Sequence, residues 1–167
     1  MLSFGRQFGG DTIISPLALL AGVRPIVASD RADNRVLNLN LLFSEARLDS
    51  QVLAVCESEW SEPDNEKDAT LKEGLTSIRQ KEYFTSDQRG YLLSPRSASL
   101  EARIAIVRAM LLSYRDGEHG ISHWHILEAL LSLDAVSAFL TSHNVDVSHL
   151  AKACETMATT AAQRFPA

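Results

Sequence analysis

The sequence predicts an all-α fold, and two of its features carry this prediction. Apolar residues recur at helical spacing along much of the chain, and polar residues that suit helix starts precede several of these runs. No alternating apolar and polar run is followed by the tight turn of a β-hairpin. The predicted helices are short and amphipathic, so they must pack against one another to be stable in water.

Composition narrows the class of protein. The chain has 167 residues, of which 46% are hydrophobic and 22% are charged, as is typical of one globular domain or two small ones. Its net charge of −5 argues against binding to nucleic acids or to anionic membranes. No apolar run reaches the ~18 residues of a membrane span, and the amino terminus lacks the apolar segment of a secretory signal. We therefore expect a cytoplasmic protein.

Three helices are predicted in the first half of the chain. The pair Ser15-Pro16 marks a helix start, because proline lacks the N–H group that the first helical position leaves unpaired. A very apolar helix follows around Val36–Phe43, and Asp49 or Ser50 can begin the third helix. The apolar residues of the first and third helices are Leu17, Leu19, Leu20, Val23, Val52, Leu53, Val55 and Cys56.

The middle of the chain has a different character. Glu57–Asp68 is acidic and has no apolar periodicity, so we expect a surface linker. Trp60 is the apolar exception within it, and this residue can either anchor the linker on the core or contact a partner. A helix is predicted over Thr70–Lys81, and an irregular segment over Tyr83–Pro95.

The second half begins with a strong helix. Ser97 or Ser99 can cap it, and Asp116-Gly117 is a suitable end. The helical spacing predicts a buried side made of Leu100, Ile104, Val107, Ala109 and Leu111, with Glu101, Arg103 and Arg108 facing outward.

Gly117–Glu155 then predicts three further short helices. Ser122 is a good N-cap for the first, Asp134 can cap the second, and Asn144 suits a left-handed turn before the third. Asp146 or Ser148 can start that last helix. The expected core residues of the three helices are Ile126, Leu127, Leu130, Leu131, Val136, Phe139, Leu140, Val147, Leu150 and Cys154.

Few residues point to catalysis or metal binding. His119, His123 and His125 lie close together, but His123 and His125 are two positions apart and point in different directions on a helix, which favours packing or capping roles. The sequence contains no phosphate-binding loop motif and no H-E-x-x-H motif. Cys56 and Cys154 are expected to be buried, reduced thiols. We expect no cofactor.

The chain contains a weak internal repeat. In one block, Ile13 aligns with Ile121 and Leu19 with Leu127. A second block aligns at a different offset. Its pairs are Phe43 with Leu140, Leu48 with Val145, Asp49 with Asp146, Leu53 with Leu150 and Ala54 with Ala151.

In its motifs the second half resembles the amino-terminal domain of Clp ATPases, a double four-helix repeat. The resemblance lies in the Gly117–Gly120 turn, in Ile121–Leu131 with its H-I-L-E-A-L-L run, and in Asn144-Val145-Asp146, which stands in the place of a Gly-Val-Asp motif. It covers Ser97–Glu155, and Ile13–Glu57 fits as a degenerate first repeat.

This resemblance implies two pseudo-repeated bundles of short helices. Residues 1–59 would form the degenerate first repeat, residues 60–96 an acidic linker plus one helix, and residues 97–167 the bundle that is similar to a Clp repeat. It also implies a non-catalytic protein-binding module, an adaptor or accessory factor of a Clp unfoldase or protease. Such a module would dock a Clp component or a substrate segment in a helix-lined groove, with His123, Trp124, His125 and Trp60 as the binding residues.

Two alternatives stay open. A small helical enzyme or metal-binding protein could use the turn that carries His119, His123 and His125, whereas a structural protein could form a homodimer through a self-complementary apolar face. The glutamate with which some family members hold phosphorylated arginine is replaced by Trp124 and Pro16. The resemblance therefore does not extend to phosphoarginine binding.

Overall fold

The computed structural model describes residues 13–23, 34–59, 98–118 and 120–164. Within these ranges the protein is all-α, as predicted, and its only extended contact is an isolated bridge between Ile14 and Ala98. Trp60, His119 and the predicted helix at Thr70–Lys81 lie outside the described residues. The helices are α1 (Pro16–Gly22), α2 (Asn34–Glu45), α3 (Ser50–Ser58), α4 (Leu100–Arg115), α5 (His123–Leu131), α6 (Asp134–Ser142) and α7 (Val147–Arg164).

Serine and aspartate caps set most of these helix starts. Ser15, Ser99 and Ser122 each accept a hydrogen bond from a backbone N–H in the first turn of α1, α4 and α5. Asp49, the first of the two predicted candidates, accepts hydrogen bonds from the N–H groups of Gln51 and Val52 and so caps α3.

The start of α6 differs from the prediction. Asp134 is not its N-cap, because Asp134 already has helical conformation as the first residue of α6. Leu133 takes the capping position and makes no side-chain cap. Asp134 still places a negative charge in the first turn, where the partial positive charge of the helix start favours it.

Helix α5 lies at the centre of the described fold. It packs most extensively against α4, and it also contacts α1, α6 and α7. Ile126, Leu127 and Leu130 of its predicted apolar stripe are buried. They belong to one continuous core that also contains Leu20 of α1 and Leu150 of α7. The described helices of the two halves therefore share a single hydrophobic core.

One prediction for α4 is wrong. Arg103 does not face outward; it is only 3% exposed, whereas Glu101 and Arg108 are exposed as predicted. Helix α4 is covered by α1 as well as by α5, so more than one of its sides is buried. Nε and Nη2 of Arg103 have no hydrogen-bond partner among the residues the structure describes. The buried residues of α4 are Ala102, Arg103, Ala105, Ile106, Val107, Ala109, Met110 and Ser113.

Two helix–helix turns have the same backbone geometry. Arg47, between α2 and α3, has a φ of 63°, and Asn144, between α6 and α7, has a φ of 60°. At the next residue of each turn the backbone N–H donates to a carbonyl five positions earlier, from Leu48 to Phe43 at 2.8 Å and from Val145 to Leu140 at 3.0 Å. This pattern is that of a helix end with a left-handed residue.

The helix that follows each of these turns also begins in the same way. Oδ1 of Asp49 accepts from the N–H of Val52 at 3.0 Å, and Oδ1 of Asp146 accepts from the N–H of His149 at 2.9 Å. The two turns contact each other directly, because the N–H of Asp146 donates to the carbonyl of Ala46 at 2.8 Å.

Within the described ranges, no single helix combines the length and the apolar character needed to cross a membrane. The consecutive helices α5 and α6 meet this criterion only as a pair, and the chain bends by 89° between them.

Candidate functional site

The corner between α4 and α5 contains the predicted site residues and a network of polar side chains. Helix α4 ends at Asp116, its C-cap, and Gly117 follows with a φ of +69°, a conformation that glycine adopts without strain. Helix α5 begins after Ser122. The corner therefore brings the end of α4 close to the first turn of α5.

His125 links the two helices. Its Nδ1 accepts a hydrogen bond from the backbone N–H of Ser122 at 3.0 Å, and its Nε2 lies 3.2 Å from Oδ2 of Asp116. Because Nδ1 accepts, the neutral ring carries its proton on Nε2 and donates it to Asp116. With the Ser122 hydroxyl accepting from the N–H of His125, this is a capping box in which histidine replaces the usual glutamate or glutamine.

Arg115 provides the positive charge of this network. Its Nε lies 2.6 Å from Oδ1 of Asp116, and its Nη1 lies 3.1 Å from Oε1 of Glu128 in α5. The hydrogen bond to Asp116 raises the pKa of Arg115 above its ordinary value. Arg115 thus compensates the charge of the buried Asp116 and forms a second link between α4 and α5.

Ser122, His125 and Asp116 are the residue types of a catalytic triad, but their contacts are those of a helix cap. Oγ of Ser122 lies 3.0 Å from Nδ1 of His125, yet the same Nδ1 already accepts the backbone N–H of Ser122. A general base needs a free lone pair and access to substrate, whereas His125 is only 3% exposed. The geometry therefore favours a structural role at the corner.

The structure places His123, Trp124 and His125 together in the first turn of α5. Of these three residues, only His123 is exposed, since Trp124 and His125 are buried in the fold. Desolvation by the surrounding protein lowers the pKa of His123. His123 is therefore the member of the predicted site that offers accessible surface, and a binding role for Trp124 and His125 stays a prediction.

Where the structure describes them, the cysteines and histidines show no arrangement typical of a metal or thiol site. Among the described residues, no group of three or more His, Cys, Asp or Glu side chains could hold a metal ion. Cys56 and Cys154 are buried free thiols, as predicted. Burial raises the pKa of Cys56 to about 11 and that of Cys154 to about 12. Both thiols are therefore protonated at neutral pH, whereas a nucleophile would need the thiolate.

A pocket of about 160 Å³ lies on the surface where the starts of α1, α4 and α6 meet the end of α3. The sequence pattern does not predict this pocket, because its residues come from four elements that are far apart along the chain. It is lined by Ser15, Pro16, Leu17, Glu59, Glu101, Ala135 and Val136.

No protein-family model matches the sequence, and no curated protein or solved structure matches the chain. The resemblance to the Clp repeat therefore rests on the sequence motifs alone.

Proposed function

We propose that this chain is a non-catalytic protein-binding module made of two Clp-type helical repeats. It would act as an adaptor or accessory factor of a Clp unfoldase or protease, and it would dock a Clp component or a substrate segment on a helix-lined surface. The described helices share one core, so the two repeats would present a single continuous body to the partner.

The matching turns provide the observation that carries this proposal. The internal repeat aligns Phe43 with Leu140, Leu48 with Val145 and Asp49 with Asp146. In the structure, the two residues of each pair make the same hydrogen bond, each within its own turn. Apolar patterns of helices align with one another easily, and left-handed helix ends are common, but here the left-handed residues and their hydrogen bonds fall at positions that the alignment pairs. The agreement supports a duplicated helical unit.

Helix packing gives additional support. Helix α1 packs against α3, and helix α5 packs against α7. Helices α1 and α5 carry buried leucines at aligned positions, Leu19 and Leu127, and both start at a serine N-cap, although Ser15 and Ser122 differ by one position in this alignment. The counterparts in sequence therefore hold comparable places beside the helix that follows each matching turn.

The exposed surface fits binding better than chemistry. Leu41 is 59% exposed, Tyr114 43% and Val55 39%, and His123 lies exposed at the start of α5. Of these, tyrosine is a residue type that is enriched in protein interfaces. In contrast, the polar groups of the α4–α5 corner are committed to one another.

A binding titration tests this proposal. The fluorescently labelled chain would be titrated, by anisotropy, with the purified Clp ATPase of the same organism and separately with an unfolded model substrate protein. We expect saturable binding to at least one of them, and His123→Ala should weaken it if the start of α5 contributes to the surface. Binding to neither protein, together with a stable homodimer by light scattering, would favour the structural, dimerising alternative.

A further inference from the structure

We draw no further inference here: the strongest candidate, the buried guanidinium of Arg103 near the start of α4, has no hydrogen-bond partner at Nε and Nη2 among the described residues, but it does not line the pocket beside α1 and α6, and nothing in that part of the structure shows which anion would reach it.

Discussion

Nε2 of His125 lies 3.2 Å from Oδ2 of Asp116, and both side chains are almost fully buried. This pair joins the C-cap of α4 to the first turn of α5, and the second ring nitrogen of His125 accepts the backbone N–H of Ser122. The His125 ring therefore contributes two of the hydrogen bonds that hold the corner before α5, beside the link from Arg115 to Glu128.

His125 is thus expected to matter for stability. His125→Ala removes an acceptor and a donor from buried partners, and it should lower the free energy of unfolding by about 2–3 kcal/mol. His125→Gln keeps an acceptor that can reach the N–H of Ser122, as in an ordinary capping box, and should recover about 1 kcal/mol of this loss. Urea denaturation of both variants measures the difference; equal stability of the two would argue against the cap.

For Arg103 we predict the opposite effect, because its substitution should raise the free energy of unfolding. A buried guanidinium whose Nε and Nη2 lack described partners lowers stability, so Arg103→Met should raise the free energy of unfolding by about 1–3 kcal/mol. Arg108, which is exposed and hydrogen-bonded to Ser132, is the matched control. Arg108→Met should give no such gain. A loss of stability in Arg103→Met would show that the buried charge is compensated.

The matching turns predict a pair of effects with opposite signs. Arg47 has a left-handed conformation that costs a side chain about 1–2 kcal/mol, so Arg47→Gly should stabilise the protein by about 1 kcal/mol. Asn144 tolerates the same conformation, and Asn144→Ala should destabilise it by about 1 kcal/mol. Thermal unfolding of the two variants checks both values. If both substitutions raised the free energy of unfolding, or both lowered it, this would contradict the shared left-handed geometry of the two turns.

The buried thiols predict how stability depends on alkaline pH. Burial raises the pKa of Cys154 from 9.0 to about 12, so the unfolded chain loses this proton at lower pH than the folded one. The stability that comes from the raised pKa is present below pH 9 and decreases as the pH rises towards 12, by at most about 1.4 kcal/mol per pH unit.

A comparison with Cys154→Ala isolates this contribution. The variant should show a smaller loss of unfolding free energy between pH 8 and pH 10.5 than the original chain. Native protein should also react slowly with a thiol reagent at pH 8, and fast only after unfolding. An unchanged pH dependence in the variant would show that Cys154 is accessible to water.

Local chemistry explains which parts of the fold could be predicted from the sequence. The N-cap role of Ser122 and the left-handed conformation of Asn144 could be predicted. Each depends only on the residue's own side chain and on the backbone next to it. The same reasoning failed for Asp134, because Leu133 occupies the capping position of α6 without making a side-chain cap.

Tertiary contacts explain what could not be predicted. The spacing of α4 shows an apolar stripe, but burial of Arg103 depends on a second element covering the helix, which periodicity along one helix does not show. The pair of His125 and Asp116 is likewise formed by a corner of the chain. The sequence pattern marks His125 as a candidate site residue, but it marks Asp116 only as a helix end.

The proposed function requires that this chain binds other polypeptides, and photo-crosslinking in a lysate measures such binding. The purified chain, carrying a photo-crosslinker at position 123, would be irradiated in a lysate of its own organism beside the same protein carrying the crosslinker at position 57. The account predicts that a Clp component or an unfolded substrate protein is enriched with the crosslinker at position 123. If the crosslinker at position 123 enriches no protein over the crosslinker at position 57, the proposed function is contradicted.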